Sequence, residues 1–181
     1  MDADSLTGRL VVATASLLDP NFALTAALIL EHGEQGALGV VLNRPSSMEV
    51  EQVVPGWSAA VAEPRVVFIG GPVMPSTVIA VARRAHASPP GWQPLFSEIG
   101  VVDLGTDPAL VVPGLRAVRL FAGYAGWGSG QLESEIESGA WFVIDRAPSD
   151  PFCAEPAELW RQVLTRQGGL FRTIAADPTS N

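Results

Sequence analysis

Apolar residues in this chain come in short runs broken by turn formers, and few stretches show helical spacing. The opening GRLVVATASLLDPNF reads as a strand over 9–14, followed by a turn at Asp19-Pro20-Asn21. Residues 23–32, ALTAALILEH, have the length of a strand buried on both faces or of a short helix, and periodicity alone does not separate these. The next residues favour the strand. Gly33 and Gly36 are turn residues and Val40-Val41 is β-branched, so 24–31 and 38–43 are expected to pair as a hairpin. Further strands are predicted over 65–73, running into a Gly-Gly-Pro turn, and over 76–84, 99–104, 116–122 and 140–145.

Helices are fewer. A serine that could cap precedes Met48, Val50 and Val53, which predicts a short helix over 46–54. Another is expected over 130–138 and a longer one over 156–167. In the last, Pro156 suits a first turn, and Leu159, Trp160, Val163 and Leu164 make an apolar stripe. Gly168-Gly169 should stop it. Residues 86–94, with three prolines, read as a surface loop, and 175–181 as a frayed tail. Strands outnumber helices and follow one another directly. The expectation is a single α+β domain over 1–181.

Composition narrows the function. The formal charge is −8, and all 11 basic residues are arginines. These are scattered, with only Arg83 and Arg84 adjacent, so a basic face for nucleic acid or an anionic membrane is disfavoured, while a local arginine pocket stays open. One cysteine, Cys153, rules out an internal disulfide and the usual zinc patterns. The acidic start MDADSL does not resemble a secretory signal, and no apolar run is long enough to span a bilayer, so a cytoplasmic location is expected. No metal or cofactor is called for.

Chemistry concentrates in GYAGWGSGQLESEI, residues 123–136, where a strand is expected to run through a glycine-rich loop into a helix. That arrangement can offer free N–H groups to an anion. However, no Gly-Lys-Ser/Thr follows, the dinucleotide fingerprint is incomplete, and Glu133, Glu135 and Glu137 would repel a phosphate. The loop is either a ligand site or a corner. Tyr124 and Trp127 could wall a pocket for a flat ligand or plug the core. Gln131 opens the helix, and Glu133 lies in its first turn, where a carboxylate suits the dipole. His32 could act as a base only with a partner such as Glu133 or a serine, and is otherwise structural. Asn43 and Arg44 leave a strand together. Arg44 could hold an anion, although an ion pair with one of the 19 acids is the simpler expectation. Gly70 and Gly71 imply a close backbone approach, to a ligand or to a strand.

Taken together, LVVATASLLDPNF (10–22), LILEHGEQGALGVVLNRP (28–45), GGPV (70–73), RLFAGYAGWGSGQLESEIESGAWF (119–142) and the LW pair at 159–160 resemble the YqgE/AlgH family of bacterial proteins. The resemblance implies an α+β fold whose largely antiparallel, branched sheet curls into a pseudo-barrel flanked by a few helices. It also raises regulation as a function, since the AlgH name refers to a role proposed in transcriptional control. No catalytic residues carry over. The family commonly has proline where Ser129 stands.

The leading expectation is thus a regulatory binding protein for a small ligand or a protein partner. Its site would gather His32, Asn43, Arg44, Gly70, Gly71, Tyr124, Trp127, Gln131 and Glu133. An enzyme acting on a small phosphate-bearing substrate is the rival, and direct DNA contact is disfavoured by charge.

Overall fold

The computed structural model describes residues 5–177. Ten strands form one connected sheet: β1 (Arg9–Ala13), β2 (Ala26–Gly33), β3 (Gly36–Val41), β4 (Pro45–Glu49), β5 (Val66–Ile69), β6 (Val73–Arg84), β7 (Trp92–Phe96), β8 (Ile99–Val102), β9 (Leu115–Trp127) and β10 (Trp141–Asp145). Five helices accompany them: α1 (Val50–Val53), α2 (Pro108–Val111), α3 (Gln131–Glu137), α4 (Pro156–Gln167) and α5 (Gly169–Ala176). The main path runs β10-β1-β2-β3-β9-β6-β8-β7, and the largely antiparallel sheet curls into a half-barrel flanked by the helices.

The branch is at β9. One edge pairs with β6 along most of its length. On the other edge, Phe121 and Ala122 lie parallel to Phe68 and Ile69 of β5, and beyond them Ala125–Trp127 turn to β3. A single strand thus serves two partners on one side. The switch is made by backbone: Gly70 N–H donates to the Ala122 carbonyl and the Gly70 carbonyl accepts from Val41 N–H. A Cβ at Gly70 would overlap the Gly123 carbonyl, and one at Gly71 the Tyr124 carbonyl group, so no larger side chain fits between these strands.

Apolar runs without alternation now have a cause. In β1, Leu10 and Val12 enter the core beneath α4, while Val11 and Ala13 enter a second cluster on the opposite face. β2 does the same, with Ala26, Leu28 and Leu30 on one face and Ala27 and Ile29 on the other. The α4 stripe Leu159, Trp160, Val163 and Leu164 closes the first face, with the Trp160 indole N–H donating to the Ala13 carbonyl at 2.9 Å. A third cluster lies around Trp57, Val118 and Leu120. Arg119 is fully buried, its guanidinium 4.2 Å from the Phe68 ring centre, and donates to the carbonyls of Ala62, Glu63 and Cys153. Desolvation pulls its pKa down to about 10.

Several expectations need correction. Residues 46–54 are strand β4 and then a single helical turn, α1. Ser46 caps nothing at a helix start. Its hydroxyl donates to the Val67 carbonyl, because pairing with β5 takes precedence over local propensity. The proline-rich loop ends at Trp92, where β7 begins, and Pro94 is accommodated because β7 is an edge strand. The strand predicted from residue 65 ends at the expected Gly-Gly-Pro break, as β5, but the strand after it, β6, begins at Val73 and not at residue 76. Gly168 ends α4 as expected, but helix resumes at once as α5, which buries Ala175. The packed chain therefore continues to Ala176, and 178–181 lie outside the described residues.

Candidate functional site

The glycine-rich stretch is not a loop for most of its length. Residues 123–127 belong to β9, and the break comes only at 128–130. Gly130, with φ +71°, then turns the chain into α3. Long-range pairing decides this, since Ala37, Leu38 and Gly39 of β3 offer a ladder to Trp127, Gly126 and Ala125. The Ser129 hydroxyl donates to the Glu34 carbonyl at 2.6 Å, tying the turn to the tip of the β2–β3 hairpin.

That tie brings His32 and Glu133 together across 101 residues. His32 Nε2 and Glu133 Oε1 are 2.6 Å apart, with the imidazole side chain only 8% exposed and the carboxylate 47%. His32 Nδ1 accepts from the Leu6 N–H at 3.1 Å, so the ring hydrogen belongs on Nε2, donated to Glu133. Both ring nitrogens are occupied. The Glu133 carboxyl is held below its ordinary pKa, first by its own backbone N–H at the start of α3, then by His32.

Around this pair is a cavity of ≈ 340 Å³ lined by Ser5, His32, Gly33, Glu34, Ser129, Gly130 and Glu133. A second hollow of ≈ 400 Å³ runs along the hairpin tip from Glu31 to Leu38 and is also lined by Trp127. The chemistry on offer is that of acceptors: carboxylates and hydroxyls rather than cations. Such a surface fits a ligand rich in hydrogen-bond donors or carrying positive charge. Among the described residues, no group of three or more His, Cys, Asp or Glu side chains is placed to hold a metal ion. No described helix is long and apolar enough to cross a membrane.

The remaining predicted residues lie around this centre in other roles. Trp127 is 6% exposed and packs edge-on against Trp141, with ring centres 6.0 Å apart and Phe22 against both. Gln131 accepts from Gly128 N–H and donates to Glu135 Oε1, bracing the first turn of α3. Tyr124 is half-buried against the core beneath α4. Asn43 and Arg44 hold the segment before β2. Asn43 accepts from Ala26 N–H and donates to the Leu24 carbonyl. Arg44 donates to the carbonyls of Pro20, Asn21 and Ala23, and this set of backbone acceptors replaces the expected ion pair. Gly70 and Gly71 approach the backbone of β9.

Sequence reasoning missed Glu135. Its Oε2 accepts from the indole N–H of both Trp127, at 3.0 Å, and Trp141, at 2.9 Å. The one available signal was its place four residues after Gln131, on the same helical face. Ser5 and Glu34 carried no signal at all.

The AlgH-like family pattern matches residues 10–172. A UPF0301 protein of Streptomyces coelicolor is 46% identical over 98% of this chain and 94% of its own length, and one of Thermobifida fusca is 44% identical over 100% and 98%. Among solved structures, a Corynebacterium diphtheriae protein superposes with a TM-score of 0.87 at 33% identity, covering 97% of this chain and 99% of that one. The AlgH protein from Pseudomonas aeruginosa superposes with a TM-score of 0.73 at 27% identity, over 98% and 96%. With a pattern matched from β1 to α5 and relatives aligned almost end to end, this chain belongs to the YqgE/AlgH family, the UPF0301 proteins.

Proposed function

We propose that this chain is a cytoplasmic binding protein of regulatory type, and that the cavity between the β2–β3 hairpin and α3 takes a small, donor-bearing ligand of amine or amidine character. The observation that carries this reading is the His32–Glu133 contact at a cavity of ≈ 340 Å³, a size within the usual range for small-ligand sites. The lining includes Glu133 and Glu34 and no arginine. An acid/base role for His32 is the weaker reading, because its two nitrogens are already committed to Leu6 and Glu133. Regulation is preferred over other uses of a binding site only on what the resemblance of these motifs to the YqgE/AlgH family implies. Direct contact with DNA is disfavoured by a formal charge of −8 without a lysine.

The test is a thermal-shift screen of the purified chain against spermidine, agmatine and adenosine, with inorganic phosphate alongside. A ligand specific for the folded state raises Tm, by an amount that grows with its concentration over Kd. The expected result is a rise with an amine or amidine that disappears in Glu133→Gln. If no donor-bearing compound moves Tm, the small-ligand reading fails and a protein partner becomes the better one.

A further inference from the structure

A different cavity holds two arginines that sequence spacing keeps apart. Arg83 extends from the end of β6, and Arg146 follows β10 directly, 63 positions later. With Ser97, Glu98, Ile99 and Pro148 they line a space of ≈ 260 Å³ at the turn between β7 and β8. None of these residues lines the His32–Glu133 cavity.

Both guanidiniums are shelved on aromatic rings. Arg146 lies 4.5 Å from the Phe96 ring centre and Arg83 5.3 Å from that of Phe152. Arg146 Nη1 donates to the Gly8 carbonyl at 2.8 Å, and Nη2 reaches towards the Ser97 hydroxyl at 3.4 Å. Arg83 differs. Its Nη2 is buried and has no hydrogen-bond partner among the described residues. The nearby acid does not fill the gap: both oxygens of Asp150 accept from Arg166, at 2.8 and 2.5 Å, and one also accepts from Ala147 N–H. Glu98 lies exposed on the rim. Burial and then the charge of Arg83 hold the Arg146 guanidinium below its ordinary pKa, with Asp150 opposing.

Two cations line one hollow, one of them with an N–H that the fold leaves without an acceptor, and an oxyanion between them would offset their like charges. The geometry points to a phosphate-group site between Arg83 and Arg146, with the Ser97 hydroxyl as a further donor. Guanidinium forks match phosphate oxygens, and two positive charges balance a phosphomonoester, whose charge is about −1.5 to −2, better than a singly charged carboxylate. A space of ≈ 260 Å³ is large enough to hold a phosphate group.

Titration of the full chain with phenyl phosphate at low ionic strength tests this, following arginine side-chain N–H resonances and, in parallel, the heat of binding. Benzoate is the control. The expected outcome is movement of the Arg83 and Arg146 signals with phenyl phosphate, and an affinity at least about tenfold weaker in Arg83→Gln. The Arg83 side chain makes no hydrogen bond that the fold needs, so that variant should keep its Tm. Arg146→Gln also removes the tie to Gly8 and is read only alongside Tm. Glu98→Gln should tighten binding, and Glu133→Gln, in the other cavity, should leave it unchanged. Unmoved Arg83 and Arg146 signals, wild-type affinity in a folded Arg83→Gln, or benzoate binding as tightly as phenyl phosphate would each overturn the assignment.

Discussion

A single carboxylate oxygen of Glu135 serves two buried indoles, Trp127 and Trp141. An indole N–H left without an acceptor in the core costs about 1–3 kcal/mol. Glu135→Ala is therefore expected to lower the unfolding free energy by about 3 kcal/mol in urea titration, and Glu135→Gln, which keeps one carbonyl oxygen, by less than half of that. Equal losses in the two variants would mean that helix packing, not the indole bonds, is at stake. Glu133 behaves differently because it is exposed and its gain is electrostatic. Its folded pKa lies below the ordinary 4.5. Its contribution to stability is thus complete above that value and lost as pH falls through the lower, folded pKa. The stability gap between wild type and Glu133→Gln should narrow as pH drops below 4.5. A gap independent of pH would remove the charge from the account of this pair.

For the elements, the informative contrast is between glycines. At Gly71 an added Cβ would meet the backbone of Tyr124 and Ala125, which pairing with β6 at Tyr124 and with β3 at Ala125 holds in place. Gly71→Ala should cost upwards of about 3 kcal/mol, because the β5–β6 turn would have to leave β9. Gly130 has φ +71° and nothing within 4 Å of its missing Cβ. Gly130→Ala should cost only about 1–2 kcal/mol, the penalty of a left-handed backbone for an L-residue. Urea midpoints of the two variants measure the difference, and comparable losses would contradict the close-approach argument. The same contrast separates what was legible here from what was not. The strands of the first hairpin could be read from Gly33, Gly36 and the β-branched run after them. That 123–127 is strand could not be, since its partner is β3, more than 80 residues earlier, and no local signal encodes a ladder over that distance. β4 was missed for the same reason: its partner β5 overrides a local sequence that reads as a helix start.

Over the whole molecule, β9 is the member on which the sheet depends, flanked by β6 on one edge and by β5 and β3 on the other. β7 sits at the free end of the path. In native-state hydrogen exchange, amides of Val118–Phe121 should open only with global unfolding, and those of β7 by local fraying at lower free energy. Similar protection in β7 and β9 would show that cooperativity does not follow the branch.

Residue order alone determined that this chain would be an α+β protein with many short strands, an amphipathic helix at 156–167 and a formal charge of −8 without a lysine. Those properties are local or summed, and any window of the chain carries them. Tertiary structure decided which polar residues meet. His32 finds Glu133, Arg83 finds Arg146, and Arg44 finds backbone carbonyls in place of an acid. The reason is that β9 switches partners at a point where only glycine lets backbones touch, and that geometry sets which strand ends and turns become neighbours.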